Sequence, residues 1–275
     1  MAAELRELRQ VGAAHPDVRS ALLTGRSGEP GHLLISGLWA HSAALDAGVG
    51  VDAFFCTPEL LYSDEGRALA RAMAARARVA YQVSTRTMAR LSDRHREGDS
   101  MASVIRLPQW DADRVRLPPE PLVVVADGLE SPGNLGTIIR TMDACGADLL
   151  IMTGVRTRAS GPAVFKGSRG RSLTVPHVVI GSPADAARWL VDRSIMIRVA
   201  DADGSRSYAA ADWSGPTAIV LGNEHSGPSV VWRGFDRVRI PMLGRADSLN
   251  VAVSAGVLLY HARAVRDGWA AAVGR

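Results

Sequence analysis

Lysine is nearly absent from this chain: Lys166 stands alone, which leaves 31 of the 32 basic residues as arginine. The planar, permanently charged arginine fork suits phosphate and base stacking and favours an RNA partner, while an Ala- and Arg-rich, Lys-poor composition is equally what a high-GC genome writes. The net charge of +4 does not by itself select nucleic acid. Cysteine is scarce as well. Cys56 and Cys145 are the only two, and without cysteine or histidine clusters at ligand spacing they form neither a disulfide framework nor a zinc site; buried free thiols and no metal are expected. No stretch approaches the roughly 18 apolar residues of a membrane span, so no membrane partner is expected. The opening Met1-Ala2-Ala3-Glu4-Leu5-Arg6 lacks a signal-peptide pattern, which points to a cytoplasmic location. Internal repeats and low-complexity tracts are also missing.

What is present is enough for two modest domains: 275 residues, 47% of them hydrophobic. Residues 1–30 are polar, with turn signals at His15-Pro16-Asp17 and at 25–31, and are expected to form a helix followed by a mobile N-terminal arm. From Leu33 the pattern alternates between strands (33–35, 51–55, 79–83, 103–107) and helices (to Ala47, 65–77, to Leu91), predicting a small α/β domain over 31–107. Residues 108–121 mix prolines and charges without period and read as a linker. Over 122–275 the continuous apolar strands 122–126, 149–152, 178–180, 195–200, 217–221 and 238–240 predict a mainly parallel sheet covered on both faces.

Three segments of this second half carry candidate chemistry. In the helix from Asn134 to about Gly146, Leu135, Ile138, Ile139, Met142 and Cys145 form one stripe, and Arg140 points away from it among Gly136, Thr137 and Ala144. Such an arginine is ordinarily solvent-exposed, yet its small neighbours let a backbone or substrate approach. The strand 218–221 breaks at Gly222 into a turn carrying Asn223 and Glu224, a place where α/β proteins bind ligands; alone, Glu224 is a solvated loop acid. The third segment, 240–256, runs from a strand into a loop and a helix, with Ser248 as the expected N-cap and Leu249, Val253, Val257 and Tyr260 at helical spacing. After the strand at 122–126 stands Asp127-Gly128-Leu129-Glu130-Ser131-Pro132 rather than Gly-x-Gly-x-x-Gly, which argues against a dinucleotide site.

Together Asn134-Leu135-Gly136-Thr137-Ile138-Ile139-Arg140, Leu221-Gly222-Asn223-Glu224-His225-Ser226-Gly227 and the 240–256 block resemble the three-motif signature of the SpoU/TrmH family in the SPOUT superfamily. That resemblance implies an S-adenosyl-L-methionine-dependent RNA 2′-O-ribose methyltransferase, working as a homodimer, whose C-terminal domain carries a trefoil knot. It further implies catalytic roles for Asn134, Arg140, Glu224, Ser248 and Asn250, and adenosine binding through backbone at Gly222, Ile240 and Leu249. Ser248 can also serve simply as a helix cap, with Leu249 in the core. The first domain resembles a ribosomal-protein-like α/β/α substrate-binding module, although Ser36-Gly37 stands where a Glu-Gly pair is common.

In the reaction so implied, a ribose 2′-hydroxyl attacks the sulfonium methyl in line, with no metal and no covalent enzyme intermediate. Arginine is a reluctant base, so Arg140 is read as a phosphate and oxyanion clamp in preference to a proton acceptor. Lys166-Gly167-Ser168-Arg169-Gly170-Arg171-Ser172 and the cluster Arg90, Arg94, His95 and Arg96 are candidate phosphate contacts, or plain surface loops. Large-subunit (23S) ribosomal RNA is the favoured substrate, in a housekeeping or an antibiotic-resistance role. The alternatives are a tRNA 2′-O-methyltransferase and a non-catalytic RNA-binding member of the fold.

Overall fold

The structure is a computed structural model that describes residues 5–27, 30–92 and 99–269. It divides into two compact units, one comprising residues 1–109 with 160–165, the other 110–159 with 166–275. The first holds α1 (Pro16–Ser27), β1 (His32–Ser36), α2 (Leu38–Asp46), β2 (Val51–Cys56), α3 (Asp64–Arg76), β3 (Ala77–Gln82), α4 (Thr85–Leu91) and β4 (Met101–Arg106). Its sheet is mixed, in the order β1-β4-β2-β3, with only the β2–β3 pair parallel.

Residues 5–27, read from the sequence as an arm, are built into this unit. Val18 and Ala21 of α1 are fully buried, and the segment before it docks on the edge of β3 through Val11 N to Gln82 O and Gln82 N to Arg9 O. An apolar pair three residues apart is too short a signal to separate a docked helix from a free one. Arg94, His95 and Arg96 lie outside the described residues.

The chain continues through β5 (Leu122–Asp127), α5 (Pro132–Cys145), β6 (Leu149–Thr153), α6 (Pro162–Gly167), β7 (His177–Val179), α7 (Pro183–Val191), β8 (Met196–Ala200), β9 (Arg206–Ser207), β10 (Thr217–Leu221), β11 (Asp236–Arg239) and α8 (Val251–Arg266). The sheet of the second unit, ordered β7-β6-β5-β10-β8-β11-β9, has every pairing parallel. This α/β architecture with a mainly parallel sheet is the one the apolar strands predict, since every residue of β5, β6 and β10 is buried. Val123, Val125, Ile151 and Val220 share a core with Ala186 and Leu190 of α7 and with Trp232. The supposed linker packs there too: Trp110, Val115 and Leu117 lie against this core, and Trp189 Nε1 donates to Ala112 O at 3.2 Å.

Local chemistry sets the ends of α5. Ser131 caps it by accepting from Asn134 N, Pro132 occupies the first turn, and Gly146 ends it at φ 67° with its amide bonded back into the last turn. The helix thus starts two residues earlier than the apolar stripe suggests. Leu135, Ile138, Ile139, Met142 and Cys145 are its buried face. Gly136 is needed for close approach: a Cβ there would sit 2.9 Å from the backbone of Gly167 and Ser168.

The last helix differs from its sequence reading. Asn250, not Ser248, is the N-cap of α8, its Oδ1 accepting from Ala252 N at 2.9 Å and Val253 N at 3.4 Å. The buried face consists of Ala252, Ala255, Leu258, Leu259 and Ala262, whereas Leu249, Val253 and Tyr260 are 39%, 52% and 44% exposed. α8 packs against α5 and β10, and small alanines allow that approach, so the larger apolar residues fall on the outer side.

Candidate active site

In the second sheet the strand order reverses between β5 and β10: β6 and β7 extend to one side, β8 and β11 to the other. Ligand clefts in open α/β sheets form at such reversals, beyond the carboxyl ends of the strands. A cleft of about 910 Å³ opens beyond the carboxyl ends of the strands on one side of the reversal, walled by the ends of β8 (Ala200), β10 (Leu221, Gly222) and β11 (Val238, Ile240) and by Met242 and Ser248–Asn250. That volume is within the usual range for cofactor sites. Gly222 is demanded sterically, since a Cβ would fall 2.1 Å from Pro228 N as the loop folds back.

Three distant segments meet beside this cleft through side chains. Asn134 Nδ2 donates to Glu224 Oε1 at 2.9 Å, and Asn134 Oδ1 accepts from Asn250 Nδ2 at 3.0 Å. Glu224 also receives Ser131 N on Oε1 and Glu130 N on Oε2, both at 3.1 Å. A flipped Asn134 amide would oppose donor to donor and acceptor to acceptor, so the network has one consistent orientation. The bonds span 90 and 116 residues of chain.

Burial pushes the Glu224 carboxyl up, but the Asn134 amide and the backbone N–H groups of Glu130, Glu224 and Ser131 together outweigh it and hold the group below its ordinary value. Its position at the N-terminus of α5 favours the same charge state.

The remaining candidates separate into two places. Gly222, Glu224, Ile240, Ser248, Leu249 and Asn250 all line the cleft. Ser248 is exposed and bonds Asp247 Oδ1 at 3.3 Å, so it is available to a ligand, having no capping role; Leu249 lies in the wall and not in the core. Arg140 is not among the lining residues. Six residues beyond Asn134, it is about 240° around the helix and about 9 Å along it. It is exposed on α5, without hydrogen-bond or ion-pair partner among the described residues.

Asn223 does more than its place in a turn suggested. Its Oδ1 accepts from His225 N and Ser226 N at 2.9 and 3.0 Å, and its Nδ2 donates to Gly128 O at 2.8 Å. An Asn opening a turn closed by glycine is a recognisable signal for the local bonds, though not for the distant one. The basic segment 166–172 is partly structural: Ser168 and Ser172 are buried and Arg171 Nε pairs with Asp143 at 3.4 Å. Among the described residues no group of three or more His, Cys, Asp or Glu could hold a metal ion, and no helix is long and apolar enough to cross a membrane.

The sequence of residues 121–260 matches the model of the SpoU rRNA methylase family. It is 34% identical over 179 residues to the 23S rRNA (uridine(2479)-2′-O)-methyltransferase of Streptomyces viridochromogenes, covering 62% of each chain. It is 35% identical over 144 residues to the 23S rRNA (guanosine-2′-O-)-methyltransferase RlmB of Ralstonia nicotianae, covering 52% of this chain and 58% of that one. The alignments thus span less than two thirds of these relatives. Among solved structures, the AdoMet-bound rRNA methyltransferase of Sinorhizobium meliloti superimposes with TM-score 0.80 at 26% identity, over 93% of this chain and 97% of its own. The AdoMet complex of the SpoU methyltransferase AviRb from S. viridochromogenes gives 0.77 at 29%, over 90% and 97%.

Proposed function

The chain belongs to the SpoU rRNA methylase family, and from that premise we propose that it methylates ribose 2′-hydroxyls of RNA, with 23S ribosomal RNA as substrate and S-adenosyl-L-methionine as cofactor. The observation that carries this reading is the Asn134–Glu224–Asn250 network, which ties the three motifs together at the rim of the cleft. A protein that kept the fold only to bind RNA has no need of these bonds between motifs.

The walls suit the cofactor. Backbone at Gly222, Ile240 and Leu249 can hold the adenosine, with the apolar sides of Met242 and Leu249 against its rings. When bound, S-adenosylmethionine would supply a sulfonium methyl to the ribose oxygen in line, leaving S-adenosylhomocysteine and releasing the hydroxyl proton to solvent. Glu224, anchored by three N–H donors, fixes the loop that carries Gly222. Asn134 and Asn250 lock α5 and α8 against that loop, and the exposed Ser248 in the cleft wall serves the methyl-transfer position. Holding reactants in line is worth up to about 10⁵ M or more in effective molarity.

Arg140 acts as the clamp on substrate phosphate and developing oxyanion. Because it projects from another side of α5 than Asn134, it serves the cleft of a second copy, making the enzyme a homodimer. The exposed Val253 and Tyr260 of α8 and the small residues around Arg140 supply the contact face. The C-terminal part of the second unit forms the trefoil knot of the family, the first unit, around residues 31–107, contributes RNA binding, and the enzyme works in the cytoplasm beside its substrate.

Radiolabelled methyl transfer to purified ribosomal and transfer RNA tests the reading, followed by mapping of the modified nucleotide. Label is expected in 23S RNA at a 2′-oxygen. Label only in transfer RNA overturns the substrate, and no label in either overturns the enzyme.

A further inference from the structure

Asp127 ends β5 at the point where a dinucleotide-binding protein turns through glycine, and the reaction outlined above gives it no task. It is 2% exposed and receives three hydrogen bonds. Thr153 Oγ1 donates to its Oδ1 at 2.8 Å. Ser229 N and Trp232 Nε1 donate to Oδ2 at 2.7 and 3.0 Å, from 102 and 105 residues further along the chain. Burying a carboxylate is costly unless its lone pairs are satisfied, so a group this enclosed commits its neighbours to one geometry.

What it commits is the far end of the cleft wall. The loop 222–228 is not a strand or a helix; it is closed by Asn223 N to Gly227 O and the reverse bond. Its near end hangs on β10 and its far end is Ser229. Gly128 O, the next acceptor after Asp127, takes the Asn223 side chain. The loop is therefore held at its start and finish by two consecutive residues of a neighbouring strand end, and Gly222, Glu224, Pro228 and Trp232 all line the cleft.

We infer that Asp127 is a positioning residue for cofactor binding: braced by Thr153, its carboxylate fixes Ser229 and Trp232 and thereby the shape of the 222–228 wall. The inference rests on the cleft being the S-adenosylmethionine site. It needs no direct contact between Asp127 and the cofactor.

Calorimetric titration of the full chain with S-adenosylmethionine, paired with hydrogen exchange of the 222–229 amides without ligand, tests it. Asp127→Ala is expected to weaken binding by roughly tenfold or more, the equivalent of losing one to two buried hydrogen bonds, and to raise KM for the cofactor more than it lowers kcat. Exchange in 222–229 should accelerate in parallel. Asp127→Asn should restore most of the affinity, because its oxygen can accept both N–H groups while its NH₂ donates to the rotatable Thr153 hydroxyl. Ser229→Pro provides a separate cut: Ser229 has φ −55°, which proline adopts, while its ring replaces the N–H and sets a carbon against the Asp127 carboxylate, so the contact is broken and binding should also weaken.

A folded Asp127→Ala with unchanged affinity, or faster exchange with unchanged affinity, overturns the inference. Asn as damaging as Ala overturns it as well. Should Asp127→Ala fail to fold, undiminished binding by Ser229→Pro is the overturning result. An unaltered chain that binds no S-adenosylmethionine overturns the cofactor reading itself, and the ligand-free exchange data still show whether the clamp exists.

Discussion

The two units satisfy their polar side chains to opposite ends. In the first unit His41 is fully buried, its Nδ1 donating to Gly37 O at 2.7 Å and its Nε2 paired with Ser103 Oγ at 3.0 Å. Thr57 Oγ1 likewise donates to Val83 O at 2.9 Å, and burial pushes the Cys56 thiol up to about 12, leaving it unreactive. Each of these groups closes the fold on itself. In the second unit Asn134, Glu224 and Asn250 are also satisfied by protein partners, yet they stand at the rim of a cleft of about 910 Å³. In the mixed sheet, strands and helices distant in sequence bring polar groups together inside it. At the carboxyl ends of the parallel strands, the same kind of bonds brace loops around an opening.

The sharpest way to break that contrast is Arg140, which belongs to neither closed interior. Arg140→Ala is expected to cut methyl transfer by about 10²–10³ or more, the usual cost of removing an electrostatic stabiliser of the transition state, while S-adenosylmethionine affinity stays within about threefold. Loss of cofactor affinity in calorimetry contradicts the clamp role. Arg140→Lys retaining full activity removes the case for a planar two-pronged contact. Mixing Arg140→Ala protomers with Asn250→Ala protomers should regain activity, because one site then combines an intact cleft with a partner's arginine. Failure of the mixture to recover any activity sinks the shared site.

Glu224→Gln comes next in size. Glu224 accepts three N–H groups on two oxygens, and a glutamine offers one oxygen and sets its own NH₂ against a donor. Leaving one donor unsatisfied costs about 1–3 kcal/mol, so cofactor affinity and stability should both fall. The carboxyl is held below its ordinary value in the folded chain, so its contribution is complete above the unfolded-state value and fades as pH falls through the lower folded one. Denaturation curves of the variant should lack that acid limb. Identical limbs in both proteins remove Glu224 from the account.

Much of this was legible beforehand, and the failures share a cause. The stripe on α5 was plain because Leu, Ile and Met mark its buried face, and the parallel sheet because β5, β6 and β10 are apolar throughout. α8 carries two apolar faces. Val253 and Tyr260 outrank Ala252 and Ala255 in hydrophobicity, but packing on α5 favours small residues, so the bulkier face lies outward. The cap is ambiguous for a related reason: Ser248 and Asn250 are equally good cap residues by type, and the folded chain uses Asn250, whose Oδ1 accepts from Ala252 N and Val253 N. The docking of the linker is not legible because Trp110, Val115 and Leu117 have no period to betray a shared face. Nothing in the sequence marks Asp127, since Ser229 and Trp232, whose N–H groups it accepts, lie more than a hundred residues away. The motifs name the candidate residues, while the connection through Asn134 belongs to tertiary structure alone.

The first unit offers the smallest effect at neutral pH and the cleanest test of a closed interior. Burial outweighs the Gly37 hydrogen bond at His41 and lowers its pKa from 6.5 to about 4. The folded chain therefore refuses a proton that the unfolded chain accepts, so stability is complete above the ordinary histidine value and is lost as pH falls from there toward 4. At pH 5 this one group should have removed about 2 kcal/mol. His177 and His261 are shifted the same way by burial, so the measurement is a difference: urea denaturation of the unaltered chain and of His41→Asn at pH 7 and pH 5. The variant starts less stable, having lost a fitted ring, and should then lose less on acidification. Parallel losses would mean that the Gly37 and Ser103 contacts open to admit water and the proton, and the first unit's interior would then be no more closed than the cleft.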